Sequence, residues 1–259
     1  MTVPELDRVS NDSNSIFQRW SGAFSLASDE DQRWRREGPF LLSVIREHPK
    51  RDPRIADFAC GHGLHARRLA AEGFGVTAVD ASCDTIERAK TLPGGDAVHW
   101  ICGDILTLSK ERFDVALLLG NTLSLMEYES GREAFGSIGG SLAESGIFIL
   151  HVIDFDYLKH HPVRFSRGGV INGENTRFEK SIRPVHNGAM ITIDIMRNTV
   201  RGVQREHGEQ RLYEHGFQAI ESWALENRLE KTATYSDFSM DTPYRPGKSK
   251  DILAVFGKT

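Results

Sequence analysis

The sequence predicts an α/β fold: a doubly wound, mostly parallel sheet with an N-terminal helical cap and an antiparallel β insertion. Three observations predict it. Between residues 53 and 155, short apolar runs of strand length alternate with amphipathic stretches of helical length. Three of these runs carry an aspartate at or just beyond their end, Asp57, Asp80 and Asp104. Beyond residue 156 the pattern becomes polar/apolar alternation around a turn at His186-Asn187-Gly188, which reads as a hairpin of residues 177–184 against 189–197.

The organising stretch is 54–80, RIADFACGHGLHARRLAAEGFGVTAVD. Ile55, Ala56, Phe58 and Ala59 make a buried strand. Gly61 and Gly63 form a tight turn where backbone approaches a ligand closely. Residues 64–71 form a helix that Gly73 stops, and Val76, Ala78 and Val79 form a second strand ending at Asp80. A carboxylate at that tip accepts two hydrogen bonds from a ribose diol. GHGLHA also satisfies GxGxxA, so a nicotinamide-dependent oxidoreductase is an alternative. Asp57 argues against it, because an anion beside the glycines repels a pyrophosphate but suits a cationic ammonium. With Asp104 as a third carboxylate, the set fits S-adenosylmethionine.

The ordered segments DFACGHG, VDAS, GDI and LLLGNTLSLM resemble the successive cofactor motifs of class I S-adenosylmethionine-dependent methyltransferases. ACGHG, VTAVDAS, GNT, LHVID and PYRPG resemble the glycine N-methyltransferase-like small-molecule enzymes in particular. The resemblance implies a seven-stranded Rossmann-like sheet, and cofactor contacts at Arg33, Asp57, Ala59, Gly61, Gly63, Asp80, Ala81, Asp104, Ile105 and Leu119. Arg33 stands where the family sets an arginine against the cofactor's carboxylate; otherwise Arg33, Arg35 and Arg36 read as solvated charges. Asp104 faces the adenine amino group with Ile105 on the ring, or else caps the following turn. Asn121 and Tyr244 are the candidate substrate contacts, read otherwise as a turn asparagine and a packed loop tyrosine. The GNT turn lacks the prolines and aromatic of base and amide methylators.

The remaining elements follow in order. Ile16, Phe17, Trp20 and Phe24 have helical spacing, as do Phe40, Leu41, Val44 and Ile45. A helix over 85–90 is capped near Asp84, and strands follow at 97–102 and 113–119. A helix is expected at 131–144, a strand at 147–153, a helix at 206–215, and strands at 217–225 and 252–257, with a loop over 236–250. The division is 1–50 helical cap, 51–155 cofactor-binding core, 156–200 antiparallel substrate cap, and 201–259 the C-terminal part of the core sheet.

The chain has 259 residues, 39% hydrophobic and 26% charged, with net charge -4, which is ordinary globular composition and carries no polyanion footprint. Nucleic acid and membrane are therefore not expected partners; self-association is left open. Three cysteines, Cys60, Cys83 and Cys102, form no CxxC pair and are expected reduced, as in a cytoplasm. His62 and His65 have no evident third ligand, so no metal is expected. Two features depart from the glycine enzymes: HVIDFDYLKHH has no arginine until Arg164, and VRGVQREHG replaces a tyrosine-rich segment. Asp154 and Asp156 then favour an amine or cationic acceptor. The expected function is methyl transfer to a small-molecule amine nitrogen, with an O-methyltransferase, the oxidoreductase and an idle cofactor-binding sensor as alternatives.

Overall fold

The computed structural model describes residues 29–108, 112–171, 173–200 and 202–259, with only the backbone of Thr107. The stripe Ile16, Phe17, Trp20 and Phe24 lies outside the described residues. Helix α1 (Glu30–Arg46) is capped by Asp29, whose Oδ1 accepts from the Gln32 N–H, and buries Phe40, Leu41, Val44 and Ile45. There follow β1 (Ile55–Phe58), α2 (Leu64–Ala71), β2 (Val76–Asp80), α3 (Cys83–Thr91), β3 (His99–Cys102), β4 (Phe113–Leu118), α4 (Tyr128–Ser141), β5 (Leu142–Ile153) and α5 (Phe155–His160). Then come β6 (Val163–Ile171), β7 (Glu174–Val185), β8 (Gly188–Thr199), β9 (Gly202–Tyr213), α6 (Phe217–Glu226), β10 (Leu229–Ser236), β11 (Ser239–Pro243) and β12 (Asp251–Lys258).

The main sheet runs β11-β10-β12-β5-β4-β1-β2-β3, parallel from β5 to β3 and antiparallel from β5 to β11. Its central strands β1 and β4 are buried along their whole length because helices cover both faces. The two-residue period divides β4 between the layers. Val115 and Leu117 pack with Leu41, Ile45 and Leu69, whereas Ala116 and Leu118 pack with Phe135, Ile138 and Trp223. Helix α4 carries interior glycines, each costing about 1 kcal/mol of helix propensity relative to alanine. Packing explains two of them. A Cβ at Gly131 would meet the Trp223 ring at 3.3 Å, and one at Gly139 would meet the Asn227 Cβ at 3.0 Å. The second sheet, β6-β7-β8-β9, is antiparallel throughout and rests Phe178, Ile182, Ile191, Ile193 and Ile195 on Ile153, Phe155 and Leu158.

Several expectations are corrected. Residues 206–215 are mostly strand, not helix. Cross-strand pairs with β8 hold β9, Arg197 with Glu206, Asp194 with His207 and Thr192 with Glu209, and they override the helix preference of a charged run. Residues 217–225 are helix, not strand: Phe217, Ile220, Trp223 and Ala224 follow the 3.6 period, and the last three are buried. The penultimate strand is β10 instead, and part of the expected loop over 236–250 is the edge strand β11, giving an eighth strand. Helix α3 is capped by Ser82 rather than Asp84, with Ser82 Oγ accepting from the Thr85 N–H.

Cys83 and Cys102 form a disulfide, Cα atoms 5.0 Å apart, against the expectation of free thiols. Parallel pairing of β2 and β3 sets Cys102 beside Asp80, where α3 is about to begin with Cys83, a proximity that linear spacing does not reveal. No described helix is long and apolar enough to cross a membrane. The disulfide closes a sequence separation of 19 residues. Chain entropy makes such a link worth about 3 kcal/mol, so urea unfolding in non-reducing buffer should show Cys83→Ser less stable by that order. Added reductant should bring the wild type to the variant's stability.

Candidate functional site

The site forms where β1 and β4 end side by side, outside the carboxyl ends of the parallel strands. After β1 the backbone turns through three left-handed residues, Ala59 (φ 51°), Gly61 (φ 56°) and Gly63 (φ 67°). A Cβ at Gly63 would lie 2.1 Å from the Trp100 ring, so the indole requires glycine there. At Gly61 a Cβ would meet nothing within 4 Å, which leaves the bend open as a cradle. Asp80 fastens this turn. Its Oδ2 accepts from the Gly61 N–H at 2.8 Å and its Oδ1 from the Ser82 N–H at 2.9 Å. A carboxylate offers about four lone-pair positions, so acceptor capacity remains on both oxygens.

Asp57 lies at the base of the cradle, 2% exposed, and its Oδ2 has no partner. Burial pushes its carboxyl up to about 7 against the pull of Arg33 and the Ala66 N–H, and the Asp80 charge adds to the rise. Arg33 reaches in from α1. Its Nε donates to both Glu37 carboxylate oxygens at 3.0 Å, and its Nη2 lies 3.9 Å from where Gly120 would carry a Cβ. Glu37 is itself buried and 2.7 Å from the His65 Nε2 on α2. Burial opposes its charge, yet the His65 hydrogen bond and Arg33 hold the carboxyl well below the usual range. Burial likewise lowers His65, which favours the neutral ring donating Nε2–H to Glu37. Sequence reading missed Glu37, although its i,i+4 spacing from Arg33 was a usable signal.

At the end of β4, Gly120 (φ 73°) and Asn121 (φ 67°) take left-handed conformations. The Gly120 N–H donates to His151 Nδ1 and the Asn121 N–H to the His151 carbonyl, each at 3.2 Å. His151, on β5, was not singled out from sequence. Accepting at Nδ1 places its proton on Nε2, which faces Asp251 at 3.5 Å. Burial raises the Asp251 carboxyl, but the His151 hydrogen bond and charge outweigh it and lower it overall. The Asn121 Oδ1 is buried without a partner. Leu119 is buried, and its carbonyl accepts from the Thr122 hydroxyl.

The other predicted residues divide. Ala81 is exposed beside Asp80, at the tip of β2. Asp104 is exposed and its Oδ1 accepts from the Leu106 N–H, so it caps the following turn, while Ile105 is buried. The Tyr244 hydroxyl donates to Asp154 Oδ2 at 2.9 Å. Asp154 also accepts from the N–H groups of Asp156, Tyr157 and Gly247, and the Asp156 carboxylate pairs with Lys159. As cap of α5 and anchor of the 244–250 loop, the Asp154 carboxylate takes four neutral donors, which fill its lone pairs and leave its charge in place. Cys60 is an ordinary packed thiol, since burial and the charges of Asp57 and Asp80 push it up and disfavour the thiolate.

Asp57 makes stability pH-dependent. Its folded value near 7 lies above the 3.8 of a free carboxyl, so the folded chain binds the extra proton and its contribution is lost as pH rises from about 4 to about 7. Over that window the ligand-free protein should lose up to about 4 kcal/mol, and Asp57→Asn should flatten the slope in urea titrations.

The cradle thus combines a buried carboxylate with one unpartnered oxygen, a second carboxylate with spare acceptor capacity, and a glycine bend open to a close neighbour. That set fits a donor with an ammonium head and a ribose, and opposes a pyrophosphate. The Methyltransferase domain family profile matches residues 55–146. A glycine/sarcosine N-methyltransferase of Aphanothece halophytica is 28% identical over 149 residues, 55% of this chain and 56% of its own length. Another, from Halorhodospira halochloris, is 23% identical over 232 residues, 82% of this chain and 81% of its own. In structure, an S-adenosylmethionine-bound amino pentose methyltransferase of Micromonospora echinaspora superposes with TM-score 0.71 at 16% identity, covering 95% of this chain and 99% of that one. The oxidoreductase alternative finds no support in these matches. Strand order, acidic cradle and sequence similarity agree: residues 55–146 match a methyltransferase domain, and the chain resembles class I S-adenosylmethionine-dependent methyltransferases.

Proposed function

We propose that the protein methylates a nitrogen of a small-molecule acceptor. The observation that carries this reading is the Asn121 amide oxygen, buried and unpaired at the end of β4. Such an oxygen lacks a donor, and an amine N–H supplies one while leaving the nitrogen lone pair free to attack. The relatives named for glycine and sarcosine N-methylation, and the fold neighbour acting on an amino pentose, favour nitrogen over oxygen.

When bound, S-adenosylmethionine supplies a methyl group activated by its sulfonium. The chain's part is placement, and holding reactants in a near-attack arrangement lowers barriers by about 7–11 kcal/mol. Asp57 pairs with the cofactor ammonium, Arg33 with its carboxylate, and Asp80 with its ribose hydroxyls. Ala59, Gly61 and Gly63 line the cradle with backbone. Ala81, Asp104 and Ile105 border the adenine, and Leu119 lies toward the methyl group. Glu37 and His65 hold Arg33 in place, and His151 holds the 120–121 turn. Tyr244 acts through the loop that it ties to Asp154. The antiparallel sheet covers the acceptor side.

Asp80→Ala should weaken S-adenosylhomocysteine binding by about 1.5–3 kcal/mol in calorimetry, the worth of charge-assisted hydrogen bonds; unchanged affinity would remove the ribose assignment. An acceptor screen reading S-adenosylhomocysteine release should favour amines over their hydroxyl analogues. Asn121→Ala should lower kcat/KM for the best amine by about ten- to a hundredfold, the equivalent of one lost hydrogen bond, with cofactor affinity kept. Preference for hydroxyl acceptors would make the enzyme an O-methyltransferase.

A further inference from the structure

The disulfide between Cys83 and Cys102 lies at the rim of the cradle rather than in the core. Cys102 ends β3 and pairs in parallel register with Asp80. Cys83 begins α3, directly after Ser82, whose N–H donates to Asp80 Oδ1. The Gly103 N–H donates to the Asp80 carbonyl at 3.0 Å. The bond therefore ties together the two segments that flank the Asp80 tip. Ala81, Asp104 and Ile105 lie within three residues of one sulfur or the other. Both cysteines are exposed, so a thiol in solution can reach the bond.

The link matters because β3 is weakly held. It ends the main sheet, is four residues long, and among the described residues pairs only with β2. Segments of that kind open at low free-energy cost unless something pins them. β3 also supports the glycine bend. The Trp100 indole occupies the space where Gly63 would carry a Cβ, and its Nε1–H donates to the Gly95 carbonyl at 2.7 Å. A shift of β3 is thus transmitted to the Gly63 turn through Trp100, to Asp80 through Gly103, and to residues 104–105 along the chain. The remaining thiol, Cys60, does not compete for exchange. It is half-buried, and burial with the charges of Asp57 and Asp80 disfavours its thiolate.

We propose that Cys83 and Cys102 form a site of reversible thiol–disulfide exchange with a dithiol, and that the oxidised form is the one competent to hold the cofactor. This rests on the cradle of the methyl-transfer reading above and adds its regulation. One thiolate of the dithiol attacks Cys102 Sγ, forming a mixed disulfide. The protein S–S bond breaks, and Cys83 Sγ leaves with the electron pair at the N-terminus of α3, where main-chain N–H groups favour an anion. The second thiolate then attacks the dithiol's own sulfur in the mixed disulfide, releasing Cys102 and a cyclic disulfide. Two electrons pass from the dithiol to the protein, and its two protons end, through solvent, on Cys83 and Cys102. A small disulfide in solution reverses both steps. In the reduced chain the end of β3 samples open arrangements, and affinity falls in proportion to the fraction that stays closed.

The test measures S-adenosylhomocysteine affinity by calorimetry on three samples: oxidised protein, protein reduced with dithiothreitol in native buffer, and reduced protein returned with oxidised glutathione. Thiol titration in denaturant after desalting reports the state, rising from the single thiol of Cys60 to all three cysteines. Reduction should weaken binding at least about fivefold, and reoxidation should restore it. Cys83→Ser and Cys102→Ser should each bind at the weakened level, with or without dithiothreitol. Equal or tighter binding by fully reduced protein would make the link a structural staple and overturn the proposal. A thiol count that stays at one after native reduction would overturn it too, as would loss of the far-ultraviolet circular dichroism on reduction. Those outcomes leave the cofactor cradle standing. Absence of S-adenosylhomocysteine binding in every sample would overturn the cradle and this inference together.

Discussion

The buried ionic contact between Glu37 and Arg33 is the constraint on which the rest of the site depends. Glu37 is 1% exposed, and a carboxylate removed from water in this way persists only when paired and hydrogen-bonded. Arg33 supplies the charge and His65 a second hydrogen bond, so Glu37 binds α1 to α2 beside the Glu30–Arg67 and Asp31–Arg68 pairs. That contact leaves Arg33 Nη2 beside Gly120 and places a positive charge near Asp57. Without it, only the Ala66 N–H would moderate the repulsion between Asp57 and Asp80.

Around this contact the site divides its labour by element. The β1 turn and the β2 tip form the cradle, and Asp80 joins them through the Gly61 and Ser82 N–H groups. The end of β4 presents Gly120 and Asn121, both bonded to His151 on β5. The 244–250 loop is tied down at Asp154 by Tyr244 and Gly247. Of the buried oxygens without a partner among the described residues, two lie in the site, Asp57 Oδ2 in the cradle and Asn121 Oδ1 beside the turn. Folded proteins rarely leave such atoms unpaired.

The local rules that failed did so for identifiable reasons. Charged residues in β9 favour helix in isolation, yet twelve consecutive main-chain neighbours on β8 and their cross-strand ion pairs make it an edge strand. The run Phe217–Glu226 is rich in apolar residues, and density was read as strand where spacing indicated helix. The disulfide joins residues brought together only by the β2–β3 pairing.

By itself the sequence determined the alternation of strands and helices over residues 53–155, the glycine turn, and the positions of Asp57 and Asp80, because those features are local: apolar period, turn chemistry and one carboxylate per strand tip. Only the tertiary structure decided which charges remain available to a ligand. Asp154 looks like a free carboxylate in the sequence, but in the fold its oxygens take four donors, one of them the Tyr244 hydroxyl. Charge availability depends on partners distant along the chain, and such partners are brought together only by folding.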